Sequence, residues 1–198
     1  MIYILNNVYP FGSNTLSNGD MGKAYTPIYY YMWDLFNGRA NLFINFKVGM
    51  GTNMYDLTSI YGILSPFSWL VVFTERSNIP NFLSYLLVLK LCLISVTSFI
   101  LFDKCYKKLD LFWKVLFSVI YAFSGWVIVY HTNFVWLDNV ALFPLLILGM
   151  KRIIDNGDYK LYTIILFLSL CYSYYISYME ILFVIFSSFL LFESNICF

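Results

Sequence analysis

Past residue 80 the chain is a succession of long apolar runs: Phe82–Phe102, Trp113–Tyr130, Phe134–Met150, Tyr159–Ile176 and Tyr178–Phe192. A helix that crosses a bilayer needs about 20 such residues, so the pattern predicts five spans. The last three runs are short and are expected to cross with little tilt or to sit partly below the interface. Lys90 alone interrupts the first run, and Pro144 lies inside the third, where it frees a backbone carbonyl and is expected to kink the helix. Trp113, Trp126, Tyr130, Trp136 and Tyr159 fall near the predicted ends, as an interfacial aromatic belt requires.

The first 81 residues follow another pattern. Residues 9–57 mix Gly, Asn, Asp and aromatics without a long apolar run. Pro27 is placed to open an amphipathic helix, Pro27–Phe36, with Ile28, Tyr31, Met32 and Leu35 on one face. Gly49-Met-Gly51 reads as a turn. Ser59–Phe73 is apolar but broken by Gly62 and Ser65-Pro66, which suits a re-entrant or interfacial segment better than a span. The expected division is therefore an outer-loop region, 1–81, and a helical bundle, 82–198. Met1–Val8 is too short to span and lacks a basic segment or cleavage site, so it is not read as a signal peptide. Both ends stop abruptly beside apolar stretches, the pattern of a fragment or a shortened relative.

Charge sets the orientation. All seven Lys and Arg residues after position 100 fall within 104–114 and 151–160. Basic loops stay on the cytoplasmic side. Residues 9–80, the loop 131–137 and a turn at Ile176–Tyr178 are then expected outside. Composition agrees: 61% of residues are hydrophobic and 12% charged, against about 25% charged in soluble domains. No basic face or nucleic-acid motif is present, so a nucleic-acid partner is set aside.

Chemistry is sparse. There is no GxGxxG, P-loop, GxSxG or HExxH pattern, and the four cysteines form no CxxC pair. Neither a disulfide framework nor a zinc site is expected. A carboxylate between permissive glycines, Asp20 in Asn18-Gly-Asp-Met-Gly22, suits a general base toward an acceptor hydroxyl or a ligand for a divalent cation. The alternative is an ordinary turn Asp. Asp138 is placed at the membrane boundary, as a functional or paired carboxylate or as a complement to a helix dipole. His131, the one histidine, sits in the same outer loop and excludes a multi-histidine metal site. Glu180 stands beside Tyr174, Tyr175 and Tyr178, which are either belt residues or a polar wall for a sugar. Lys90 either snorkels or meets a lipid phosphate.

Several motifs together resemble the YfhO family of bacterial membrane proteins. They are Asn18-Gly-Asp-Met-Gly-Lys-Ala-Tyr-Thr-Pro-Ile-Tyr-Tyr-Tyr31, Gly49-Met-Gly51-Thr-Asn, Tyr61-Gly-Ile-Leu-Ser-Pro-Phe67, Tyr121-Ala-Phe-Ser-Gly125, Trp136-Leu-Asp138, Leu142-Phe-Pro-Leu145 and Tyr174-Tyr-Ile-Ser-Tyr-Met179. The resemblance implies an all-α, polytopic transmembrane bundle of GT-C type with a large outer loop. It also implies a glycosyltransferase that takes a sugar from a polyprenyl-phosphate carrier and passes it, outside the cell membrane, to a teichoic-acid-type polymer. The essential acid of such enzymes lies in the first outer loop, where Asp20 matches. Lys90 or Arg39 would offset charge on the leaving phosphate, and Arg39 and Lys47 would suit an anionic polymer. Family members are far longer, which bears on independent activity. The rival readings are a non-enzymatic transporter or lipid-binding module, and an inactive gene fragment.

Overall fold

A computed structural model describes residues 7, 9, 12–15, 21–46, 50–56 and 62–194, with side chains to Ser188. Asp20 and Lys47 lie outside the described residues, as do Gly49 and Ser59–Tyr61. The described residues are helix, turn and loop, with an isolated β-bridge between Asn45 and Thr52. The protein is an all-α membrane bundle.

Two compact units divide the chain: Met1–Leu89 with His131–Val135, and Lys90–Tyr130 with Trp136–Phe198. In the first unit a π-helical turn, Met21–Tyr25, leads into α1, Thr26–Phe36. Pro27 sits in the first turn of α1, where its missing N–H costs nothing. Thr26 Oγ1 donates to the Met21 carbonyl at 2.7 Å, tying turn to helix. The buried face of α1 is Ile28, Tyr29 and Met32, with Tyr25 one turn earlier. Tyr31 and Leu35 are only partly buried, so the face is rotated from the expected one. The physical reason is Tyr29, whose ring packs against Phe82 and Phe134 while its hydroxyl meets Ser68 Oγ at 2.8 Å. Tyrosine supplies apolar area and a satisfied polar tip together.

Residues 62–73 form a turn at Gly62 (φ +97°), a one-turn helix α2, Pro66–Trp69, and a 3-10 turn, Leu70–Phe73. Ser68 and Val71 are buried. Trp33 Nε1 donates to the Thr74 carbonyl at 2.8 Å, fastening this stretch to α1.

α3, Ile79–Cys105, gives its first turns to the first unit and the remainder to the second. The second unit continues with α4, Leu111–Ala122, α5, Gly125–Tyr130, α6, Phe134–Asn156, α7, Lys160–Tyr172, and α8, Tyr174–Ser194. Three helical stretches among the described residues are long and apolar enough to cross a membrane: Arg76–Cys105, Leu111–Tyr130 and Phe134–Asn156. The second is interrupted at Phe123-Ser124, where the Ser124 carbonyl restarts the ladder by accepting from Ile128 N at 2.9 Å.

The expected turn at Ile176–Tyr178 is not there; those residues lie inside α8. The break falls at Ser173, which is extended (φ −157°, ψ 104°). Its carbonyl accepts from both Ser177 N at 3.0 Å and Ser177 Oγ at 2.8 Å, capping α8. α7 is thereby cut to 13 residues, roughly 20 Å at 1.5 Å per residue, short of a bilayer core of about 30 Å.

Pro144 leaves the Val140 carbonyl without a helical donor. The Tyr121 hydroxyl fills that place at 3.0 Å. Further along α6, a Cβ on Gly149 would stand 2.8 Å from the Tyr162 backbone, so α6 and α7 meet where only glycine fits. Leu146, Met150, Ile165 and Val184 close the core around that contact.

Candidate functional site

In the first unit, the end of α1 shapes a cleft of about 960 Å³ lined by Gly22, Thr26, Tyr30, Tyr31, Asp34, Arg39, Asn41 and Arg76, among others. Its geometry begins with a Schellman turn. Gly38, at φ +70°, donates to the Leu35 carbonyl at 3.0 Å, and Arg39 N to the Asp34 carbonyl at 2.8 Å. That turn carries Arg39 back over α1, where its guanidinium stands 5.1 Å from the Trp33 ring. Tyr31 donates to the Asn41 carbonyl, and burial lifts its phenol above the ordinary value.

Arg76 meets Asp34 fork to fork, Nε to Oδ1 at 3.0 Å and Nη2 to Oδ2 at 3.1 Å, and lies 5.0 Å from the Tyr30 ring. A guanidinium has five donors; this pairing leaves three. The cleft thus carries two guanidiniums and one carboxylate among tyrosine rings and hydroxyls, a donor-rich lining able to hydrogen-bond an anion. Gly22 on its wall follows Asp20 by two positions. Asp34 and Arg76 were not among the expected site residues. They are 42 positions apart, and a lone Asp on a helix face carries no signal of its distant partner. The Asn37-Gly38 helix stop was the one readable clue.

The second unit holds a buried polar core on α6. Lys90 Nζ donates to Asp138 Oδ1 at 2.6 Å, with both side chains 1% exposed. Lys90 therefore neither snorkels nor reaches the surface toward a lipid phosphate. Asp138, expected as a functional or paired carboxylate, is buried within the protein. Its Oδ2 has no hydrogen-bond partner. One residue on, Asn139 Nδ2 lies 2.6 Å from Ser169 Oγ and 2.8 Å from Ser177 Oγ, and Ser169 Oγ donates to the Glu180 carboxylate. Glu180 is thus joined to α6 and α7 through serines rather than to its neighbouring tyrosines.

Of those tyrosines, Tyr175 packs at a tilt against Trp136, and the ring cluster continues through Tyr130 and Trp126 with centroids 5.1–6.1 Å apart. Tyr174 and Tyr178 are exposed on the same helix face. His131 is partly buried in the first unit. Among the described residues no three His, Cys, Asp or Glu side chains converge to hold a metal.

The sequence model of the family described as Bacterial membrane protein YfhO matches residues 1–196. The chain belongs to the YfhO family. Neither a curated protein nor a solved structure matches it. Both the cleft and the polar core of this YfhO-family chain rest on the motifs that carried the resemblance: Tyr30 and Tyr31 close the first, and Asp138 lies in Trp136-Leu-Asp138.

Proposed function

We propose that this YfhO-family chain serves as a membrane glycosyltransferase, moving a sugar from a polyprenyl-phosphate carrier to an extracytoplasmic, teichoic-acid-type polymer. The observation that supports it is the cleft with Arg39, Arg76, Asp34 and its tyrosines. The acceptor hydroxyl attacks the anomeric carbon. The bond from that carbon to the phosphate oxygen breaks, and the polyprenyl phosphate leaves with the electron pair. Asp20 takes the hydroxyl proton. Arg76 and Arg39 stabilise the charge that grows on the phosphate. Asp138, Glu180 and His131 support the fold around this chemistry, and Lys47 suits the anionic acceptor. Tyr174, Tyr175 and Tyr178 suit a sugar or polymer chain.

The test is binding of polyprenyl phosphate to the purified chain and to Arg76→Lys and Arg39→Gln. Hydrogen bonds to a charged group are worth about 1.5–3 kcal/mol, so each variant is expected to bind roughly 10- to 100-fold more weakly. Arg76→Lys keeps the charge on Asp34 while losing the planar fork. Unchanged affinity in both would remove the phosphate from this cleft.

The outer location of the cleft rests on the basic loops. In a cysteine-free background, a membrane-impermeant thiol reagent is expected to label Ser13→Cys in intact cells and to leave Lys107→Cys unlabelled. Labelling at 107 from outside would reverse the orientation.

The buried Lys90–Asp138 pair and the Asn139–serine–Glu180 network favour a second reading, a transporter or lipid-binding module, because ionisable groups at depth mark ion and proton paths. A transporter would need the pair itself, whereas the enzyme needs only the fold it sits in.

A further inference from the structure

The second unit has a cleft of about 700 Å³ that the proposed transfer does not use, lined by Lys104, Lys107, Lys108, Lys151, Tyr106 and Asp155, with Cys105 and Leu109. We propose that this cleft binds the phosphate headgroup of an anionic membrane lipid. Lys104 lies in the last turn of α3, Lys107 and Lys108 lie in the connection to α4, and Lys151 comes from α6. Three elements thus converge on one basic hollow.

The charge there is uncompensated. Lys151 is held by Asp155 at 3.1 Å. Lys104, Lys107 and Lys108 have no carboxylate within ion-pair distance among the described residues. The neighbouring Asp103 is already taken by Lys114 at 2.9 Å. Four lysines facing one carboxylate leave a strongly positive hollow, and three of the lysines are exposed.

A free phosphate would satisfy the charge alone. The surroundings ask for more. Leu111 and Phe112, just past the loop, are 67% and 68% exposed, and Ile153 and Ile154 stand out from α6 beside Asp155. A positive hollow flanked by bare apolar side chains at the end of membrane-length helices fits an amphiphile: phosphate in the hollow, acyl chains along Leu111, Phe112 and Ile154. Basic pockets between helices on the cytoplasmic side take lipid headgroups in this way.

The experiment uses the purified, detergent-solubilised chain and native mass spectrometry to count bound phosphatidylglycerol against phosphatidylcholine. Inorganic phosphate and glycerol phosphate serve as chain-free competitors. Retention of phosphatidylglycerol is expected, with little phosphatidylcholine. A lysine near an anionic surface is worth about 1 kcal/mol, or roughly fivefold in affinity. Lys104→Gln, Lys107→Gln and Lys108→Gln are each expected to weaken binding about that much, and the triple variant to approach the phosphatidylcholine background. Lys160→Gln, outside the cleft, is expected to change nothing. Undiminished phosphatidylglycerol binding by a normally folded triple variant would overturn the proposal. So would displacement by glycerol phosphate at the concentration of the lipid, which would make this a free-phosphate site.

Discussion

Asp138→Asn is expected to destabilise the chain by about 3–5 kcal/mol, because it leaves the Lys90 ammonium buried without this carboxylate. At roughly 2–4 °C per kcal/mol for a chain of this size, heating in detergent should show a midpoint lower by about 10 °C. Lys90→Met is expected to destabilise as well, because it leaves the buried Asp138 carboxylate without its lysine. The informative protein is the double variant, Lys90→Met with Asp138→Leu. An ion pair taken out of water contributes little net stability, since desolvation offsets the attraction, and an apolar pair of similar volume is often as stable or more so. The double variant is therefore expected to return to wild-type stability or above. If it were as unstable as Asp138→Asn, the pair would be holding the helices by more than mutual charge. The same variant separates the two functional readings. Sugar transfer should survive in it, and a transport activity built on the pair should not.

The apolar runs made the helices legible, because lipid and protein interior both demand backbone bonds closed within a segment. Pro27 marked the start of α1, and Pro144 marked a carbonyl in need of a donor. What the sequence hid was who answers. Tyr121 supplies the Val140 carbonyl from another helix, and nothing local to either residue says so. The α7–α8 break hid for a different reason. Cys171-Tyr-Ser-Tyr-Tyr175 contains neither Gly nor Pro; at the break Ser173 is extended, and the Ser177 hydroxyl adds a second bond to the Ser173 carbonyl where α8 starts. The face of α1 was misjudged by rotation: Tyr29, Tyr30 and Tyr31 are alike in composition, and tertiary packing against Phe82, Phe134 and Ser68 selected Tyr29 for the core. Asp138 was readable as a carboxylate in need of a partner, but Lys90, the partner, lies 48 positions earlier, and nothing local to either residue names the other. In the candidate site, Arg39 was named from the sequence as a loop arginine, and Tyr30 and Tyr31 stood in the quoted motif without a site role, whereas Asp34 and Arg76 emerge only when the chain folds them together.

Asp20→Asn is expected to have the largest effect on activity. It removes the proposed proton acceptor while keeping size and hydrogen-bonding capacity, and a general base contributes roughly 10²–10⁴-fold in rate. Asp20 precedes by one residue the π-helical turn that opens into α1. Membrane abundance is expected to stay normal, in contrast to Asp138→Asn. The deciding measurement is transfer of labelled sugar from a polyprenyl-phosphate carrier to cell-wall polymer. It is made in membranes from cells whose gene for this protein is wild type, deleted, or altered to Asp20→Asn at equal abundance. The account predicts carrier-dependent transfer that is lost on deletion and falls at least about 100-fold in the Asp20→Asn membranes. Transfer that is the same in all three would contradict it.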